Sequence, residues 1–169
     1  MSTYREKHLR YLTIVRLSDK LLGWNWFSVN RQPSPPDIAS VLSSIAGKFD
    51  RLLGDGCMYI PGSSYNTCTT IEAGRTYMIH MIASAMEPTP LVVRGQLVPA
   101  DIPMWMSRGW HWLGYLPTCC IDIPTALSSV AGKFDLLLGA DCTYAPDSLY
   151  NTCTAMCPGE GYLLSLIHI

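Results

Sequence analysis

The sequence predicts a mainly β fold built as two tandem small β-rich domains, barrel- or sandwich-like, each carrying one short α-helix. Three observations predict it. The stretch 37–77 recurs at 122–162 at a constant offset of 85 residues without a gap, with 24 identities in 41 positions. Self-similarity at a fixed long period marks one structural unit used twice. Short runs rich in β-branched and aromatic residues, bounded by Gly, Pro, Asn and Asp, repeat through each copy as strands and turns do. One stretch per copy has the apolar period of a helix with a single buried face.

The chain has 169 residues, of which 49% are apolar and 15% charged, with a net charge of −1. That balance is globular and carries no basic surplus for phosphate, so nucleic acid is not expected as a partner. No apolar run approaches the roughly 20 residues of a membrane helix. The first 20 residues scatter Arg10, Arg16, Asp19 and Lys20 where a signal peptide needs an unbroken apolar segment. Seven cysteines argue the other way, for an oxidising compartment. The two observations agree if the chain is an internal part of a longer exported protein, and that is the expectation.

Residues 1–10 are polar and without period, and read as a tail or linker remnant. The first repeat is expected over 11–95. Leu12–Leu17 alternates and reads as a strand, and 23–29, GWNWFSV, as a second, with Trp24 and Trp26 on one face by the period of two. The same phrase returns at 109–115, preceded by Met104-Trp105-Met106. A proline-rich connection, 31–36, leads to Asp37 in the place of a helix N-cap. Ile38, Val41, Leu42 and Ile45 make the helical stripe, and Gly47 supplies the stop. The second copy reads Ile123, Ala126, Leu127, Val130 and Gly132, with Pro124 in the first turn where proline is tolerated.

Lys48–Leu53 and Lys133–Leu138 read as strands closing at Gly54 and Gly139. A turn-rich segment follows in each copy, IPGSSYN between Cys57 and Cys68 and APDSLYN between Cys142 and Cys153. Glu72-Ala73-Gly74 reads as a tight turn before the strand Thr76–Ile82, and Leu91–Gly95 as a last strand. The second repeat, 96–169, is expected to be C-terminally truncated. It has no counterpart of that last strand, and its final LSLIHI, residues 164–169, is also the translation of a transposon end used in sequencing libraries.

The order GWNWFS, proline-rich loop, IAGKFD, NTCT, EAGRTYMIHM and LVVRG resembles a repeat module of bacterial surface and secreted multidomain proteins, S-layer-like proteins among them. Those modules read GWNL(I/V)S, GKYD, NTLT, PGKGYWIHM and LTVTG. The resemblance covers nearly the whole chain twice and brings no catalytic residues with it. It implies an extracellular, non-enzymatic, structural or adhesive role, with other domains of a longer parent protein or cell-envelope components as partners. Cys68 and Cys153 stand where the pattern has leucine, and Met78 where it has tryptophan.

Cys57 with Cys68, and Cys142 with Cys153, share one spacing, which a disulfide in each copy explains. Closing a loop of about 12 residues stabilises a small core by roughly 3 kcal/mol in the chain-entropy account. No Cys-x-x-Cys pairs occur, so neither a metal nor another cofactor is expected. Cys157 can pair with Cys119 or with Cys120. The histidines His8, His80, His111 and His168 have no histidine counterparts in the other copy, which speaks against a Cys–His nucleophile and for no enzymatic activity. Trp24, Trp26, Trp105, Trp110 and Trp112 are expected in the core. The second functional reading is polysaccharide binding, with Tyr59, Tyr65, Tyr144 and Tyr150 in the turn-rich loops as the exposed contact residues. Asp55, Asp135, Asp141 and Asp147 follow no calcium-loop spacing and read as solvated turn residues.

Overall fold

The computed structural model describes residues 12–16, 22–82 and 90–167; the stretch 1–10, Leu17 and His168 lie outside them. The fold is mainly β. The first copy runs β1 (Leu12–Arg16), β2 (Gly23–Ser28), β3 (Arg31–Pro33), α1 (Ile38–Val41) with a 3-10 turn over Leu42–Ile45, β4 (Phe49–Gly54), β5 (Cys57–Tyr59), β6 (Thr76–Met81) and β7 (Pro90–Leu97). The second runs β8 (Gly109–Gly114), β9 (Ile121–Asp122), α2 (Ile123–Ala126) with a 3-10 turn over Ser128–Val130, β10 (Phe134–Leu138), β11 (Thr143–Tyr144), β12 (Ala155–Met156) and β13 (Gly161–Leu166). No helix among the described residues is long and apolar enough to cross a membrane.

The main sheets have one topology. The order is β2-β6-β4-β5 in the first copy and β8-β13-β10-β11 in the second. All pairings are antiparallel, and both sheets carry a register shift at the same place, between Phe49 and Arg51 and between Phe134 and Leu136. Neither sheet closes on itself among the described residues, so the barrel-like alternative falls away. Residues 164–166 are the paired end of β13, opposite β8 and β10. The strand β7 runs on to Leu97, past the boundary at residue 95, because its last residues pair with β3.

Each helix starts where its cap acts. The Asp37 carboxylate accepts the Ser40 N–H at 2.9 Å, and Asp122 accepts that of Thr125 at 3.0 Å. Both backbone bonds hold these carboxyls below their ordinary pKa. After one turn the helix tightens to 3-10 form, where Ser43 Oγ donates back to the Ser40 carbonyl at 2.7 Å. The stripe Ile38, Val41, Leu42 and Ile45 is buried throughout.

Each copy has its own core. In the first, Phe27, Ile38, Leu42, Ile45, Leu52 and Ile79 pack with Leu91 and Val93 of β7; in the second, Leu113, Ile123, Leu127, Leu137, Tyr162 and Leu164 pack together. The tryptophans are not among these residues. In β2 it is Asn25 and Phe27 that face inward, buried, while Trp24 is 45% exposed; Trp110 is 52% and Trp105 96% exposed. Alternation places Trp24 and Trp26 together, but on the outer face. The inner face is fixed by the rings that fit under the helix, with Phe27 stacked on Tyr77 at 5.6 Å.

The copies join at equivalent strand ends. Ser28 ends β2 and Thr76 begins β6; their register counterparts in the second copy are Gly114 and Gly161. Ser28 Oγ donates to the Glu160 carbonyl at 2.6 Å and accepts the Tyr115 N–H at 3.1 Å. Thr76 Oγ1 donates to the Leu113 carbonyl at 2.6 Å and accepts the Tyr162 N–H at 2.9 Å. Backbone bonds from Ser28 N to Gly159 O and from Gly114 N to Gly74 O flank them.

Candidate functional site

The turn-rich loops are the features most alike between the copies, and their residues explain why. Asn66 Oδ1 accepts the Ile60 N–H at 2.7 Å, and its Nδ2 donates to the carbonyls of Ile60 and Ser63 at 3.0 and 3.1 Å. Asn151 repeats this with Ala145 and Ser148 at 2.8, 3.0 and 3.1 Å. Thr67 and Thr152 accept the N–H of Met58 and of Thr143, each at 2.9 Å. Cys57 is bonded to Cys68, and Cys142 to Cys153. An Asn that satisfies three backbone groups, a Thr that caps the strand and a disulfide at the base together make a loop of one fixed shape.

What these loops present is apolar. Tyr65 is 86% and Tyr150 88% exposed, beside Leu149 at 95%. Ser63 and Ser148 hold the backbone of the two tyrosines, each accepting the tyrosine N–H at 3.1 Å. Tyr59 and Tyr144 stand elsewhere. They lie on β5 and β11, half-buried, with rings 6.4 Å from Phe49 and 6.2 Å from Phe134. They close the edge of each core, because a strand that pairs with β4 or β10 turns alternate side chains under the sheet. Of the four tyrosines, Tyr65 and Tyr150 are the exposed ones.

A second exposed surface lies on the outer faces of the sheets. Trp24 pairs across the strands with His80, ring centroids 5.1 Å apart, and Trp26 with Met78. His80 Nδ1 lies 2.8 Å from the Asp50 carboxylate, which also takes the Arg51 guanidinium at 3.2 Å. Desolvation pushes the Asp50 carboxyl up, and the bonds from Arg51 and His80 more than offset it, leaving it below its ordinary pKa. In the second copy Trp110 faces Ser165 and Trp112 faces Leu163, so the aromatic row is kept while Ser165 and Leu136 replace His80 and Arg51.

The third disulfide joins Cys120 to Cys157, and Cys119 is exposed. It ties the entrance of β9 to the turn before β13 and has no counterpart in the first copy, where Glu72 stands at the position of Cys157. Three disulfides in a chain of this size are typical of extracellular proteins. The tyrosine ties at these turns are structural. Tyr77 Oη accepts the Glu72 N–H at 3.0 Å and Tyr162 Oη that of Cys157 at 2.9 Å. The recurrence of a tyrosine at this position in both copies, Tyr77 and Tyr162, is the signal for them.

Comparison of the chain with models of protein families, with curated proteins and with solved structures finds no match.

Proposed function

We propose that the chain is a pair of structural or adhesive modules of an exported bacterial surface protein, acting by contact rather than by catalysis. The observation that carries this reading is the pair of loops that present Tyr65 and Tyr150. Each copy fixes one loop with a disulfide, an asparagine and a threonine, and leaves one tyrosine almost wholly in solvent at its tip. An aromatic ring held rigidly in water adds nothing to a core and loses little entropy when it meets a surface. Two such rings on one molecule allow two-point attachment. The three disulfides fit an oxidising environment, and the resemblance to surface-protein repeats supports the same setting.

Polysaccharide is the second reading, favoured by the exposed Trp24 beside the hydrogen-bonding groups of His80 and Asp50, and by the exposed Trp110 of the second copy. A co-sedimentation assay with bacterial cells and with purified cell-wall polysaccharides tests both. On the adhesive reading the protein sediments with cells, and the Tyr65→Ala, Tyr150→Ala double variant stays in the supernatant at an unchanged Tm. Loss of sedimentation in Trp24→Ala and Trp110→Ala, with the tyrosine variant still bound, shifts the contact to the sheet faces and to glycan. A protein that binds no envelope material at all sinks both.

A further inference from the structure

A surface cleft of about 330 Å³ lies in the first copy where three elements meet. One wall is the 3-10 turn after α1, with Ser43 and Ser44; the second is β7, with Val92 and Arg94; Ser34 and Pro35, at the exit of β3, close the third side. Backbone groups hold these walls to one another. The Ser34 N–H donates to the Arg94 carbonyl at 3.0 Å, and the Val92 N–H donates to Ser44 Oγ at 3.1 Å. Along β7 the alternation of side chains sends Leu91 and Val93 into the core and leaves Val92 and Arg94 for the cleft.

The hydrogen-bonding state of each lining group says what the cleft can take. Ser44 Oγ accepts an N–H, so its own proton is left to donate, and Ser43 Oγ donates to the Ser40 carbonyl at 2.7 Å, so its lone pairs are left to accept. Among the described residues the Arg94 guanidinium and the Ser34 hydroxyl form no hydrogen bond or ion pair, and no carboxylate lines the cleft. Pro35 and Val92 add apolar surface beside these groups. The second copy does not repeat the arrangement, because Cys119 and Cys120 stand in place of Ser34 and Pro35, and Cys120 is bonded to Cys157.

We infer that this cleft binds an acidic sugar, a hexuronate residue whose carboxylate meets the Arg94 guanidinium and whose hydroxyls meet Ser43 and Ser44. A guanidinium presents a planar fork of donors that matches a carboxylate with two parallel bonds. A sugar hydroxyl both donates and accepts, which is what a neighbouring pair of serines with one free proton and one free acceptor requires. The C–H face of the ring suits Pro35 and Val92. A bare oxyanion would leave most of the cleft unfilled and make no use of its apolar side. The inference goes beyond the adhesive reading and uses neither its tyrosines nor the tryptophans of the polysaccharide reading, so each can fail alone.

The test is an NMR titration of the full chain, read at its amide and guanidinium N–H signals, with sodium glucuronate, run beside glucose and sodium sulfate at one ionic strength. Saturable shifts of the Ser44 and Val92 amides and of the Arg94 Nε–H at about millimolar glucuronate, with none from glucose, are the expected result. Arg94→Gln should weaken binding at least about tenfold at an unchanged Tm, because the side chain is exposed, and Trp24→Ala should bind as the parent does. No shift at about 20 mM glucuronate overturns the proposal. Equal binding of glucose overturns it too, since the guanidinium then selects nothing. Equal binding of sulfate shows an adventitious ion only, and loss of binding in Trp24→Ala moves the contact to the sheet face; either result also overturns it.

Discussion

Tyr77 and Tyr162 do in side chains what a turn does in backbone. Each hydroxyl accepts an N–H five residues upstream, and burial pushes each phenol above its ordinary pKa, Tyr162 the further because it also hydrogen-bonds to the Glu160 carboxylate. Tyr162→Phe leaves the Cys157 N–H without this acceptor, and urea unfolding should show a loss of about 1–3 kcal/mol. The pH dependence follows the same shift. A phenol whose folded pKa exceeds the unfolded value of 10.0 gives stability that is whole below pH 10 and falls as pH rises above it. Thermal melts should therefore lose Tm above pH 10, and Tyr162→Phe should lose less over that interval; an identical fall in both proteins would show that Tyr162 does not titrate with unfolding. The loop tyrosine Tyr65 and the strand tyrosine Tyr59 separate by the same logic of contact. Tyr65→Ala should leave Tm unchanged, whereas Tyr59→Ala, which removes a ring packed on Phe49, should lower it by about 2–4 kcal/mol of stability, read by urea melts.

At the scale of the element, the disulfide and the glycine opposite it form one unit in each copy. A Cβ at Gly54 would lie 2.8 Å from Cys57 Sγ, and one at Gly139 the same distance from Cys142 Sγ. Neither strand end can carry a side chain without moving the sulfur. Replacing Cys57 and Cys68 together by Ala should cost about 3 kcal/mol, and adding Gly54→Ala on that background should cost less than it does in the bridged protein, because the obstructing sulfur is gone. Equal costs of Gly54→Ala in both backgrounds would show that the sulfur sets no such limit. Much at this scale was legible in the sequence. The helix caps at Asp37 and Asp122, the stripe from Ile38 to Ile45 and most strand limits follow from local chemistry: one oxygen near one N–H, or one period. The inward face of β2 did not follow. A period of two separates Trp24 and Trp26 from Asn25 and Phe27 but does not say which pair meets the helix, and greater apolar area favoured the wrong pair. Asn25 can be buried because its amide donates to the Gly23 carbonyl at 3.1 Å. Tyr59 and Tyr144 were misplaced for a similar reason, since β5 and β11 are short and exist only as partners of β4 and β10.

For the molecule as a whole, the junction between copies rests on an exchange at equivalent positions: hydroxyls in the first, glycines in the second. Ser28 and Thr76 are buried at 0% and 1%, and both reach backbone groups of the other copy. Gly161 admits them, since a Cβ there would lie 2.6 Å from Thr76 Cγ2 and 3.0 Å from the Phe27 carbonyl oxygen. Each copy has its own core, so these few bonds decide whether the two unfold together. Thr76→Ala removes one donor and one acceptor from buried backbone groups and should cost about 2 kcal/mol. Gly161→Thr acts differently, because it drives the strand ends apart while leaving both cores composed as before. Calorimetry should show one transition for the parent protein and two for Gly161→Thr, the earlier belonging to the second copy, whose helix flank is open where β7 covers the first. A single transition in Gly161→Thr at the parental temperature would mean that the contact carries no coupling. Two transitions already present in the parent would mean that the hydroxyl–glycine exchange orients the copies without making their folding depend on each other.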